Sequence, residues 1–257
     1  MRATLTVLGS GTSMGVPTIG CDCAVCHSSD PRDRRTRPSV LIGYGGRNVL
    51  IDTTPDFREQ AIRENITHLD AVLYTHTHAD HLLGIDDLRP LSFLHKPNRL
   101  PLYAHPEAAE FIRNMFRYIF DSDYKFGGLP QVEMRTMNGA LELFGARFDP
   151  IRLIHGDAEI YGFRFGSAAY LTDHSDIPED SLTQLDNLDI LFLDALRYKP
   201  HPTHSTVEHS LHTVERLKPK RAFFTHICHD LAHEETNAAL PGNVKLSYDG
   251  MKLEFEI

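Results

Sequence analysis

Four metal-capable side chains fall within six residues in Tyr74-Thr75-His76-Thr77-His78-Ala79-Asp80-His81. They directly follow Ala71-Val72-Leu73-Tyr74, an apolar run that reads as a buried strand, so the polar cluster reads as the loop leaving it. Such a loop can aim two imidazoles at one cation and an Asp and a His at a second. Neutral imidazole and carboxylate suit zinc, iron and manganese.

A second cluster lies upstream in Cys21-Asp22-Cys23-Ala24-Val25-Cys26-His27. Three thiols this close invite a closed tetrahedral zinc site, with a fourth ligand still to be found. His27 is a neighbour of Cys26 and sterically awkward; Cys228 and His229 lie far downstream. A site joining residue 21 to that region would pin the amino-terminal loop to the carboxy-terminal half. It would leave no open coordination position, which makes its expected role structural.

Further candidates recur where apolar strands end. His155 follows Phe148–Leu153, Asp173 follows Ala168–Leu171, Asp194 follows Ile190–Leu193, and His226 follows Ala222–Thr225. Sheets of α/β proteins place their sites at such carboxyl ends. His204 precedes Ser205 and Thr206, either of which can cap a helix running to about Leu217, so His204 sits on a loop and is free to face a substrate. The buried face of that helix is expected to carry Val207, Leu211, Val214 and Leu217, leaving His209 and His212 in solvent.

These residues need a scaffold. The chain has 257 residues, 41% of them hydrophobic and 24% charged, with sixteen His and no Trp. That is an ordinary globular composition, and with no linker in view a single large domain is expected. The net charge of −9 argues against broad attraction to nucleic acid or anionic membrane. No run reaches membrane-spanning length, the first residues lack a signal-peptide core, and the thiols suit metal better than disulfides, so a cytoplasmic setting is expected.

Residues 3 to 8 read as a first strand, and the Gly9–Gly15 loop after it matches neither the dinucleotide fingerprint nor the P-loop. Ser39–Ile42 and Asn48–Asp52 read as a hairpin, followed by a helix from near Pro55 to about Asn65. A helix from about Pro106 to Phe120 is expected to bury Phe111, Met115, Tyr118 and Ile119. The segment from Asp121 to Gly139 reads as an irregular loop bordering the site. His95 and His105 read as residues at or just below the surface.

The series His76-x-His78-x-Asp80-His81, His155, Asp173 and His226 resembles the metallo-β-lactamase superfamily across nearly the whole chain. The resemblance implies an α/β fold, an αββα sandwich, built as one metallo-hydrolase domain over residues 1–257. By it His76, His78 and His155 hold one metal, Asp80, His81 and His226 hold the other, and Asp173 bridges the two. Asp52, at a strand end, is implied to orient ligands.

The opening Cys loop, at about residues 16–38, is similar to that of PhnP-like phosphodiesterases. That likeness implies a structural zinc on Cys21, Cys23, Cys26 and His229. It further implies two active-site metals, Zn or Mn, and a small phosphodiester as substrate. Phosphoribosyl cyclic phosphate and 2′,3′-cyclic nucleotides are examples of the substrates this likeness implies. Two metals ~3.5–4 Å apart would share a water with its pKa drawn toward ~7. Asp80 and Asp173 would supply the negative charge that retains both cations, and His204 would act as general acid. No membrane partner is expected, and no nucleic acid beyond short or cyclic nucleotides; a homodimer is allowed. A tRNA 3′-endonuclease-like nuclease and a PqqB-like non-hydrolytic metalloprotein are the alternatives. Residues 88–150 depart from the PhnP pattern and are expected to shape the substrate pocket.

Overall fold

The structure, a computed structural model, describes residues 1–95, 97–121 and 127–257. Its strands run in chain order as β1 (Arg2–Gly9), β2 (Ser39–Tyr44), β3 (Arg47–Ile51), β4 (Ala71–Leu73), β5 (Leu100–Ala104), β6 (Val132–Thr136) and β7 (Leu141–Leu143). They continue as β8 (Ala146–His155), β9 (Ala158–Phe165), β10 (Ala168–Leu171), β11 (Ile190–Asp194), β12 (Arg221–Thr225), β13 (Val244–Leu246) and β14 (Lys252–Glu256). Two seven-stranded sheets result, in the orders β14-β1-β2-β3-β4-β5-β6 and β13-β12-β11-β10-β9-β8-β7.

Side chains of a strand alternate between its two faces, and here both faces are covered. In the first sheet Val49 and Ile51 point at the other sheet, whereas Leu50 points at the helices. In the second, Ile190 and Phe192 point inward and Leu191 and Leu193 outward. The layer between the sheets is closed by Phe148, Phe163, Phe165 and Tyr170 against Leu5, Val7 and Ile42. Helices Phe57–Arg63 and Pro106–Met115 cover one outer face, and Val207–Leu217 covers the other. The expected αββα sandwich is therefore the fold, as a single domain. Among the described residues no helix is long and apolar enough to cross a membrane.

The strands β3, β4, β5 and β6 are mutually parallel, and so are β10, β11, β12 and β13. Parallel neighbours deliver their following loops to a common edge. That arrangement brings the distant candidates together.

Two expectations are corrected. The helix expected over Pro106–Phe120 is two segments, Pro106–Met115 and Arg117–Phe120. Its buried face is Ala109, Ile112, Phe116 and Ile119, spaced by three, four and three; Phe111, Met115 and Tyr118 are 46%, 50% and 46% exposed. Choosing aromatic residues outweighed the helical period in that reading. The segment from Asp121 to Gly139 is not irregular throughout, because Val132–Thr136 pairs with β5 as an edge strand. Residues 122–126 of that expected loop lie outside the described residues.

Candidate metal centre

The loop leaving β4 turns at once into the short helix Ala79–Leu82, which puts Asp80 and His81 in its first turn and His76 and His78 just before it. His155 ends β8, Asp173 follows β10, and His226 follows β12. Ligand atoms of His76, His78 and His155 converge in one group, and those of Asp80, His81, Asp173 and His226 in another. Asp173 touches both: its Oδ2 lies 3.3 Å from His76 Nε2 and 2.5 Å from His81 Nε2, and its Oδ1 lies 2.6 Å from His226 Nε2. Asp80 Oδ2 is 3.3 Å from His81 Nε2 and 3.5 Å from His226 Nε2.

The outer nitrogens of three of these rings are fixed by partners. His81 Nδ1 donates to Asp52 Oδ2 at 2.7 Å, and His155 Nδ1 donates to the Thr203 carbonyl at 2.8 Å. The Thr75 hydroxyl gives its one proton to Asp52 at 2.8 Å, so it accepts from His76 Nδ1 at 3.0 Å. Each of these three rings is thus held with its Nε2 lone pair free. Yet among the described residues His76 Nε2, His81 Nε2, both ring nitrogens of His226 and Asp173 Oδ1 are buried without a hydrogen bond. Lone pairs facing carboxylate oxygens at such short range repel unless a cation lies between them. Buried orphan acceptors on this scale are costly, and divalent metals would satisfy those whose lone pairs converge, the three Nε2 atoms and Asp173 Oδ1. The residues present therefore fit the divalent metals the fold implies.

The electrostatics agree. Burial alone would pull His81 and His226 down, but the carboxylates of Asp173, Asp80 and, for His81, Asp52 hold His81 well above the usual histidine range and His226 at about 10. So much negative charge around imidazoles marks a place prepared for positive ions. Three residues of the centre, Asp52, Asp173 and His226, have φ of 67°, 59° and 58°. Non-glycine residues rarely adopt this left-handed backbone, though Asp and His tolerate it best, and it turns each side chain back over the sheet edge.

His204 sits beside this centre. Its Nδ1 donates to Asp194 Oδ2 at 2.8 Å, its ring stacks on His226 with centroids 4.6 Å apart, and Nε2 is left free. Asp194 is fully buried at the end of β11. The sequence marked Asp194 as a strand-end residue but gave no sign of this partnership.

In a second cluster Cys21, Cys23, Cys26 and His229 also converge, with the sulfurs 3.1, 3.3 and 3.6 Å from His229 Nδ1. The alternatives fall elsewhere. His27 is exposed beside Asp22, and the buried Cys228 thiol accepts from the Asp230 N–H. Backbone hydrogen bonds in both directions between Val16 and Arg35 close the neck of the loop. Buried Arg35 then donates to the carbonyls of Cys228 and Leu231 and pairs with Asp33, fastening the loop to the segment that carries His229.

The comparisons with known proteins follow this geometry. Residues 47–227 match the family described as Beta-lactamase superfamily domain. A crystal structure described as a new diphosphatase from the PhnP family is 62% identical, covers 99% of this chain and 98% of its own, and superposes with a TM-score of 0.94. An octanoyltransferase of Porphyromonas gingivalis is 38% identical over 96% of this chain but only 50% of its own length. A ribonuclease Z of Bradyrhizobium diazoefficiens is 26% identical over 55% of this chain and 48% of its own. The chain thus spans about half the length of the curated relatives it matches. It belongs to the metallo-β-lactamase superfamily and is PhnP-like over nearly all of its length.

Proposed function

We propose that residues 1–257 form one metallo-hydrolase domain that cleaves small or cyclic phosphodiesters with two divalent metals, Zn or Mn. In this reading His76, His78 and His155 hold one metal, Asp80, His81 and His226 the other, and Asp173 lies between them. Asp173's contacts with histidines of both groups are the observation that carries it. A neighbour described as a diphosphatase and a relative named ribonuclease Z support phosphate-ester chemistry over lactam or thioester chemistry. The transferase name of the Porphyromonas relative then belongs to the half of that protein this chain does not match.

When bound, the two cations neutralise charge on the phosphoryl oxygens and make a water more acidic. The chain's own residues do the rest. Asp52 and the Thr203 carbonyl hold imidazoles in the ligating tautomer. The water, acidified at the site, would release one proton to solvent; as its oxygen bonds to phosphorus and the far P–O bond breaks, the leaving oxygen takes a proton from His204 Nε2. Burial and the neighbouring His226 lower His204 to about 4, and an anionic diester beside the ring acts the other way, so the ring takes up its proton as substrate binds. Asp194, hydrogen-bonded at Nδ1, keeps the ring oriented.

Two outcomes follow here. Asp52→Ala removes the acceptor of His81 and Thr75, and metal affinity should fall about 10–100-fold, read by competition with a chromophoric chelator. In the Cys loop, at about residues 16–38, we assign a structural zinc to Cys21, Cys23, Cys26 and His229. Cys23→Ser should lower the zinc content by one per chain and the unfolding temperature with it, because such a metal contributes directly to folding.

The reading is tested by metal analysis alongside a panel of bis-nitrophenyl phosphate, 2′,3′-cyclic nucleotides, a lactam and a thioester. Diester turnover by a protein carrying two site metals and one zinc is expected. Rapid lactam turnover with inert diesters would overturn it. Cleavage of tRNA precursors alone would favour the nuclease, and iron with oxygen uptake the PqqB-like reading.

A further inference from the structure

We propose that His174 is a positioning residue for the general acid His204, acting through Ser205; the inference rests on the phosphodiesterase reading above. His174 follows Asp173 in the chain and Ser205 follows His204, so a contact between them joins the neighbours of both. That contact is threefold. The Ser205 N–H donates to the His174 carbonyl at 2.8 Å, the Ser205 hydroxyl donates to the same carbonyl at 3.0 Å, and His174 Nδ1 lies 3.0 Å from that hydroxyl. A hydroxyl has one proton, and giving it to the carbonyl leaves a lone pair for the Nδ1–H of His174. Both residues are buried.

The other ring nitrogen shows that packing does not explain this histidine. Among the described residues His174 Nε2 is buried without a partner. An unsatisfied buried polar atom is costly, and a leucine of similar size would avoid it. Stability alone therefore favours an apolar side chain here. Conflicts of that kind are expected at functional positions, and what the ring supplies is its bond to Ser205.

Three successive residues of the loop are each fastened to a different strand end. The Thr203 carbonyl accepts from His155 Nδ1 at 2.8 Å, Asp194 accepts from His204 Nδ1 at 2.8 Å, and Ser205 is held by His174. His204 is thus gripped through its ring by Asp194 and through its backbone on either side. The grip at Ser205 comes from the turn that carries Asp173, whose Oδ1 lies 3.8 Å from His204 Nδ1. The proton donor and the proposed bridging carboxylate are thereby kept in register. A reacting group displaced by about 1 Å can lose about 10²-fold in rate, so this register matters to turnover.

The experiment uses the zinc-loaded protein with nitrophenyl and alkyl diesters. His174→Leu keeps the volume of the side chain and should retain the fold and the metal content. Its kcat on alkyl diesters should fall by up to about 10²-fold with KM little changed, while its kcat on nitrophenyl diesters should hold. His174→Asn places an amide N–H where Nδ1–H stood and should restore most of the alkyl rate. Ser205→Ala should show the pattern of His174→Leu, and the double variant should be no worse than either, because each breaks the same contact. Proton NMR gives a readout separate from turnover. The downfield proton on His204 Nδ1, identified by its absence from His204→Ala, should broaden in His174→Leu and stay sharp in His174→Asn. Equal losses on both ester classes, no rescue by asparagine, or an unchanged His204 signal in His174→Leu would overturn the proposal. Loss of metal from His174→Leu would overturn it too, because the residue would then act on the Asp173 turn. No turnover of any diester by the parent protein would overturn the phosphodiesterase, and the proton signal would still decide the contact.

Discussion

Asp173→Asn is expected to end hydrolysis while leaving the sandwich intact. Asn keeps the size of the side chain and tolerates the left-handed backbone at φ 59°, so the turn after β10 survives. The substitution removes one of only two carboxylates in the proposed seven-ligand set, and the one that contacts histidines of both groups. Metal binding and metal chemistry should fail together. The charge stabilisation a metal supplies is worth several kcal/mol, so kcat/KM should drop by about 10³-fold or more. Metal content should fall below two per chain at the site, with the Cys-loop zinc retained. A variant that keeps both site metals and most of its turnover would remove Asp173 from the centre.

The candidate metal centre is legible because its proposed ligands follow a rule that sequence exposes. His76, His78, Asp80 and His81 are consecutive enough to be read as one loop, and His155, Asp173 and His226 each stand where an apolar strand stops. Parallel pairing carries the ends of β4, β10 and β12 to one edge, and β8, which runs with β10 because both are antiparallel to β9, brings His155 there too. What the rule does not contain is the fold of the loops between. His204 reaches Asp194 only because the segment between them doubles back, with the Leu196 N–H on the Ser205 carbonyl at 3.0 Å. No local spacing encodes that return. The choice of His229 over Cys228 likewise depended on resemblance, since adjacent residues differ only in which way the backbone turns them. The edge strand Val132–Thr136 escaped notice for another reason: only Val132 and Met134 of it are buried, too short an alternation to stand out among polar neighbours. His105 read as a residue at or near the surface, and its stacking on Tyr161, more than fifty positions away, is purely tertiary.

His204→Ala separates proton delivery from metal binding. The ring is in neither set of proposed ligands, although it packs on His226 and His155 and lies near Asp173, and its Nδ1 is taken by Asp194, so the variant should retain its full metal content. A general acid commonly contributes ~10²–10⁴-fold, and the loss depends on how much the leaving oxygen needs the proton. A nitrophenolate leaves readily as an anion, whereas an alkoxide does not. The expected result is a loss near ~10²-fold for nitrophenyl diesters and near ~10⁴-fold for alkyl diesters, the two ends of that range. Asp194→Asn should show the same leaving-group pattern in weaker form, because it disturbs the orientation of the ring and leaves Nε2 in place. Equal losses on both classes of ester in His204→Ala would mean that His204 binds substrate and does not protonate it. Loss of metal from that variant would instead place it among the ligands, where its 3.8 Å approach to Asp173 would then have to be read as coordination.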